Sequence, residues 1–392
     1  MLKVQVGSSV KSNSAEAGRE AASQVKKDIS SMKVALVYSG AQYDQKLMLD
    51  AISKELPGVA LIGNTSYSGI ITHKGYVSGA DGFVGIMTLS DESLLVGVAG
   101  LEKQGDARST GRKVAMAALK DAGKDISGKI DVPDYFYMTA PPGEEEFYLK
   151  GIEDIIGRVP FFGGSAADND IAGDWLIFQD DMVTSDGVAV IFFYTNGLFS
   201  NIFTGAYGET TNAGIITKLN GYRTLVEIDG VPALKKYAEW TGKDPSKLIG
   251  GNLLVESVVT PLGVKDRLGD LIAIRHPMNG NDDFSINVGN NLAVNTAVIQ
   301  MSGSVDKLID SAGETIQKLK EKVGGNPSAY HLVHCGGRRI AIGNRIDELA
   351  KAVKDAAGDV PFILEFTFGE YGYEDDGNNT CGGLMLSFTA LG

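Results

Sequence analysis

A thiol, two guanidinium groups and a carboxylate are grouped late in this chain, at the ends of two short apolar runs. His331-Leu332-Val333-His334-Cys335 leads into Gly336-Gly337-Arg338-Arg339, and Phe362-Ile363-Leu364-Glu365-Phe366-Thr367 leads into Phe368-Gly369-Glu370-Tyr371. Residues of these types serve nucleophilic catalysis, metal binding or the recognition of a small charged ligand.

A cysteine nucleophile needs its pKa lowered by a neighbouring cation or a helix N-terminus. Arg338, Arg339 and the Gly336-Gly337 turn would supply that field, but no paired base is legible, and a small buried side chain at a strand end is the plainer reading. A metal is not expected. Side chains alternate along a strand, which sends His331 and Cys335 to one face and His334 to the other. Arg338 and Glu370 fall just past two strands that should be neighbours, where open α/β sheets place ligand crevices. Facing the two ends of a zwitterion such as an amino acid, they would hold it through charge-assisted hydrogen bonds. Facing each other, they would form a structural ion pair.

The elements that position these groups recur along the chain. A helix carrying Ala17-Gly18-Arg19, Thr110-Gly111-Arg112 and Ala312-Gly313-Glu314 appears three times. An apolar strand follows each, beginning at Val34, Tyr135 and His331, and then an amphipathic helix and a second strand at Val59, Val159 and Val360. A third apolar strand closes each unit, at Gly82, Gly187 and Gly383. Runs apolar at nearly every position predict strands covered on both faces. The spacing therefore predicts an α/β fold of mixed β-sheets covered by helices, built from repeated β-α-β-β units. Ser304 and Asn344 are the expected caps of two helices in the third unit, with Gly358 as a stop. The loops Asn64-Thr65-Ser66 and Gly164-Ser165 hold equivalent places in the first two units, and their small polar side chains either line a pocket or cap turns. The stretch from about 201 to 300 does not follow the pattern. Two domains are expected, residues 1–218 and 219–392.

Composition narrows the partners. The apolar fraction of 43 %, with 22 % charged residues, is that of a globular protein. A net charge of −13 repels phosphate backbones and anionic lipid, so no nucleic acid is expected. Two cysteines suggest no disulfide framework and a reducing, cytoplasmic setting. The uncharged runs from Gly187 to Gly208 and from Phe284 to Val305 are each broken by a turn signal, so hairpins rather than membrane insertion are expected. The start of the chain is too short and polar an apolar run for a signal peptide. Phosphate-loop, Gly-x-Ser-x-Gly and His-Glu-x-x-His signatures are missing.

Ile62-Gly63-Asn64-Thr65-Ser66-Tyr67-Ser68-Gly69-Ile70 resembles the N-terminal signature of FIST domains, and Val226-Glu227-Ile228-Asp229-Gly230-Val231-Pro232-Ala233-Leu234 resembles the start of the FIST C-terminal part. His334-Cys335-Gly336-Gly337-Arg338 and Phe368-Gly369-Glu370-Tyr371 are similar to that part's Ser-Cys-x-Gly-Arg and Gly-Glu motifs. Asn64 stands where members often carry Cys, Ser68-Gly69-Ile70 replaces an acidic turn, and His334 replaces a small hydroxyl residue. The resemblance implies a sensory module of intracellular signal transduction that binds small metabolites such as amino acids. In many members it is joined to an output domain. Here both FIST parts account for the sequence, which implies a stand-alone sensor acting through a separate signalling partner.

The expectation is thus a ligand-binding sensor with no catalytic residues, no cofactor and no metal, its small polar ligand held by Cys335, Arg338, Glu370, Tyr371, Asn64, Thr65 and Ser66. The sequence leaves room for a homo-oligomer. The alternative is an enzyme acting on a small metabolite, with Cys335 as nucleophile or Glu370 as acid/base.

Overall fold

The computed structural model describes residues 1–265, 270–375 and 377–392, apart from the side chain at 252. The first unit runs β1 (Lys3–Ser9), α1 (Ser14–Ser23), β2 (Met32–Ser39), α2 (Gln45–Glu55), β3 (Ala60–Thr65), the hairpin β4 (Ile70–Thr72) and β5 (Gly75–Val77), and β6 (Val84–Ser90). The second runs β7 (Leu95–Glu102), α3 (Ala107–Asp121), β8 (Tyr135–Ala140), α4 (Glu145–Ile156), β9 (Phe161–Ser165), the hairpin β10 (Ile177–Gln179) and β11 (Met182–Thr184), and β12 (Gly187–Tyr194). Their sheets share one order, β1-β6-β2-β3 and β7-β12-β8-β9, with only the last pair parallel.

The third unit opens with β13 (Phe199–Thr204) and is then interrupted. The inserted stretch holds β14 (Gly208–Asn220), β15 (Thr224–Ile228), β16 (Val231–Pro232), α5 (Ala233–Thr241), α6 (Asn252–Glu256), β17 (Leu262–Lys265), β18 (Ile272–Arg275), β19 (Pro277–Gly280), β20 (Ile286–Val288) and β21 (Ala297–Ser302). These strands form an antiparallel sheet of their own. The unit resumes with α7 (Val305–Val323), β22 (Ala329–Cys335), α8 (Gly336–Ile342), α9 (Ile346–Ala357), β23 (Phe362–Thr367), the hairpin β24 (Glu370–Gly372) and β25 (Thr380–Gly382), and β26 (Leu386–Leu391). Its order β13-β26-β22-β23 matches the other two. Since β13 precedes residue 218 and β14 runs through it, the third unit's sheet takes strands from both sides of that point.

Each short hairpin leaves its own unit. β4–β5 joins β23 of the third unit, β10–β11 joins β3 of the first, and β24–β25 joins β9 of the second. The exchange is cyclic, so each sheet is completed by another unit's strands. A matching ring of backbone bonds closes at the strand ends: Ala167 N–H donates to Thr65 O at 2.8 Å, Phe368 N–H to Ser165 O at 3.2 Å, and Tyr67 N–H to Phe366 O at 2.9 Å.

Strand alternation explains the two-sided burial. In β2, Val34, Leu36 and Tyr38 face a central core while Ala35 and Val37 face α1 and α2; in β8, Tyr135 and Tyr137 face inward while Phe136 and Met138 meet α3 and α4. The helices cross at the recurring glycine. A Cβ at Gly18 would lie 2.6 Å from Met48 O and one at Gly111 would lie 2.3 Å from Tyr148 O, so α1 and α3 can approach α2 and α4 only without a side chain there.

Ser304 caps α7 as expected, accepting from Lys307 N–H at 3.2 Å. Asn344 does not cap α9, which starts at Ile346 behind Arg345, because residues 343–345 form a 3-10 turn that carries α8 into α9. The two uncharged runs are also not hairpins. β12 pairs with β7 and β8 whereas β13 pairs with β26, and β20 pairs with β15 and β19 whereas β21 pairs with β14 and β17. The first turn carries the chain from the second unit's sheet to the third's, and the second joins two strands of the insertion's sheet that are not neighbours. Among the described residues no helix is long and apolar enough to cross a membrane.

Candidate ligand cleft

The C-terminal ends of β8, β22 and β23 and the inserted stretch surround a cleft of about 240 Å³. Its walls are largely apolar: Trp175, Phe368, Ile340, Leu254, Met278 and Val288. Trp175 and Phe368 meet edge to face, with ring centroids 6.1 Å apart. Cys335, His276 and Arg223 bring polar atoms to the same space.

Cys335 ends β22, and its Sγ accepts from Gly337 N–H at 3.3 Å. Burial pushes the thiol pKa far up, with the Glu370 carboxylate adding to the shift. A thiol in that setting stays protonated near neutral pH, so it is not a thiolate nucleophile. Burial pushes the Glu370 carboxyl up to about 8. Its Oε1 accepts from Thr367 Oγ1 and its Oε2 from Met385 N–H, both at 2.9 Å. His276 is held near pKa 4 by burial and is neutral; its Nε2 lies 2.9 Å from Leu254 O, which makes Nε2 the protonated nitrogen.

Arg223 is the charged group of the cleft wall. Its Nε donates to Asn291 Oδ1 at 3.0 Å, and its Nη2 reaches Glu146 Oε2 at 2.5 Å and Glu145 Oε2 at 3.0 Å. Burial, with Glu146 beside it, raises the Glu145 carboxyl despite Arg223. Glu145 and Glu146 open α4, so one arginine of the inserted stretch ties the second unit's helix to the third unit's insertion. Arg223 Nη1 has no hydrogen-bond partner among the described residues.

Of the residues expected to hold a ligand, only Cys335 lines this cleft. Arg338 lies behind it, fully buried, with Nη1 donating to Gly205 O at 2.7 Å and Nη2 to Leu308 O at 3.1 Å and Ser311 Oγ at 2.7 Å. Arg338 thus ties α8 to α7 and to the chain just past β13, and forms no ion pair with Glu370. Tyr371 is buried against Phe161, with Oη 2.7 Å from Ser165 Oγ.

Asn64, Thr65 and Ser66 are enclosed as well. Thr65 Oγ1 accepts from Leu176 N–H at 2.9 Å; Ser66 Oγ accepts from Phe366 N–H and donates to Gly69 O, each at 2.9 Å. Asn64 sits in a buried polar knot where the three units meet. Its Nδ2 donates to Glu365 Oε2 at 2.7 Å, and its Oδ1 accepts from Thr139 Oγ1 at 3.0 Å and Tyr137 Oη at 3.2 Å. Tyr38 Oη bonds His331 Nε2, which lies 3.7 Å from Glu365 Oε1. Burial drives His331 down to about 3 and Glu365 up to about 8, so both are neutral at pH 7.

Trp175, His276, Met278 and Arg223 escaped the sequence reading because three of them belong to the stretch that breaks the repeat and lie outside its one recognised motif, Val226 to Leu234. The one usable signal was Pro141-Pro142-Gly143 before two helix-opening glutamates: Pro142 and Gly143 line the cleft. Among the described residues no cluster of metal-ligating side chains occurs.

Comparison with known proteins places these features in context. Residues 33–231 match the family model of the FIST N domain, and residues 233–373 that of the FIST C domain. No curated protein matches the chain. Among solved structures, a cyanuric acid hydrolase aligns over 100 % of both chains at 8 % identity and a TM-score of 0.38, and the enzyme from A. caulinodans over 100 % of this chain and 99 % of its own at 7 % identity and 0.39. Phosphoribosylformylglycinamidine synthase II from Thermotoga maritima aligns over 72 % of its length at 10 % identity and 0.24. Likeness at these scores carries no statement about activity.

Proposed function

The chain belongs to the FIST family, and from that membership we propose that it binds a small metabolite in the cleft above Cys335 and reports it to a protein partner in intracellular signalling. The observation that carries the reading is an apolar cleft at the carboxyl ends of parallel strand pairs with one free arginine nitrogen in its wall.

Apolar walls with Trp175 and Phe368 suit an apolar or planar body, and Arg223 suits an anionic head. Among the described residues no carboxylate lines the cleft, so a carboxylate-bearing ligand is favoured over a cationic one. Apolar amino acids and the matching 2-oxo acids are the class to test first. Charge recognition in this proposal rests on Arg223, with Cys335 as a contact and with Arg338 and Glu370 as buried supports beneath it. An anion that drew Arg223 from Glu145 and Glu146 would loosen the tie between α4 and the insertion, which gives a bound and a free state a partner can distinguish.

The test is a titration followed by tryptophan fluorescence in a Trp240→Phe background, where Trp175 is the remaining indole of the two. Saturable change with a small carboxylate, absent in Ile340→Phe, which narrows the cleft without adding an indole, supports the proposal. A panel of such acids that leaves both emission and melting temperature unchanged refutes it.

A further inference from the structure

Arg275, at the end of β18, lies in a second cleft of about 380 Å³ on the other side of Asn291 from the first. Arg275 is 9 % exposed, and three bonds hold its guanidinium in place: Nε to Asn291 O at 3.0 Å, and Nη1 to Ile274 O at 3.0 Å and Cys381 O at 3.3 Å. Its Nη2 has no hydrogen-bond partner among the described residues and is not among the sealed polar atoms. Carbonyl oxygens satisfy two of the three nitrogens and leave the third for the cleft.

The rest of the lining has the same sign. Lys150, Lys265, Thr296, Thr380 and Tyr222 also line it, the Lys150 ammonium lying over the Phe147 ring, and none of its described lining residues carries a carboxylate. Lys265 pairs with Glu209 at 3.0 Å, both half-exposed, while Lys150 has no ion pair among the described residues. On a chain of net charge −13, a cleft with three cationic residues and no carboxylate among its described lining residues departs from the average surface. A nearly buried guanidinium with an open donor gains most from an oxyanion, because the charge-assisted bond replaces water in a low-dielectric wall.

We propose that this cleft is a second binding site, for a small oxyanion, a phosphate or a carboxylate, held by Arg275 Nη2 with Lys150, Lys265 and the Thr296 and Thr380 hydroxyls. The site is separate from the first cleft and its ligand class does not depend on the reading given there. Asn291 contacts both arginines, by its side chain to Arg223 and its backbone to Arg275.

The test titrates the full chain with inorganic phosphate, malonate and chloride at matched ionic strength, following melting temperature and heat of binding. Phosphate or malonate should give saturable binding that chloride does not, and whichever is tighter names the source. Thr296→Glu puts a carboxylate at the rim, and Lys150→Gln removes an exposed cation; each should weaken binding by roughly tenfold while leaving the ligand-free melting temperature near wild type. Equal responses to all three anions overturn the proposal, as does binding that neither variant weakens.

Discussion

The Asn64 side-chain amide donates to Glu365 across 2.7 Å although the two residues are 301 positions apart. Both are fully buried, one on β3 and the other on β23, at the point where the three units meet. Polar strand ends that invite a ligand reading are here each other's partners. Convergent strand ends must satisfy their donors and acceptors internally, since water is excluded from the junction.

Removing the amide leaves buried acceptors unpaired. Asn64→Leu should lower stability by about 2–3 kcal/mol, the usual penalty for an orphaned buried polar group, read as a lower urea midpoint. An unchanged midpoint would show that the knot contributes nothing net.

The pH dependence of stability follows from the same knot. Burial raises the folded Glu365 carboxyl to about 8 from its ordinary 4.5, so the unfolded chain ionises first, and its contribution is full below about 4.5 and is lost as pH rises toward 8. Glu365→Gln should therefore flatten the fall in stability between pH 5 and 8, by at most about 1.4 kcal/mol per pH unit. Glu370, with the same direction and value, leaves a residual slope. His331 works in the opposite sense, its stability present above 6.5 and lost as pH falls toward 3. Urea titrations from pH 4 to 9 would reveal both limbs, and an unaltered alkaline limb in Glu365→Gln would refute the assignment.

Gly111 is a packing device. A side chain there meets the α4 backbone at Tyr148 O, so Gly111→Leu should destabilise by more than about 3 kcal/mol or prevent folding. Gly123→Leu is not the right control, because its φ of +69° adds strain. Met116→Leu, at an exposed position of the same helix, should be neutral in the same melting assay.

Cys335 should resist alkylation. With its thiol buried and its pKa far above the usual range, iodoacetamide at pH 7 should label it only in denaturant, as counted by mass spectrometry. Rapid stoichiometric labelling of the folded protein would restore the enzyme reading.

The proposed cleft assigns recognition to Arg223 and Trp175 together. Trp175→Ala should weaken binding of a small carboxylate about tenfold with little loss of stability, since an aromatic wall accounts for roughly 1–2 kcal/mol. Arg223→Lys should weaken it further and also lower the melting temperature, because one ammonium cannot reproduce the contacts to Asn291, Glu145 and Glu146. Calorimetry with the wild type and both variants checks the order.

The sequence by itself determined the α/β class, the main strands and helices of the three similar units, and the family, because alternation, apolar periodicity and crossing glycines are local patterns in the chain. It also drew attention to Cys335 and the ends of β22 and β23, which border the cleft. What it left open was which polar groups face outward. Arg338, Glu370 and Asn64-Thr65-Ser66 read as ligand contacts, and only the tertiary structure decided that their partners are Gly205, Met385 and Glu365. The cyclic hairpin exchange was equally hidden, since a three-residue strand such as β4 or β24 carries no mark of the sheet it will join. Side-chain pairing across hundreds of residues leaves no local pattern, so the cleft above Cys335, and Arg223 in its wall, emerge only once the three units and the insertion are packed.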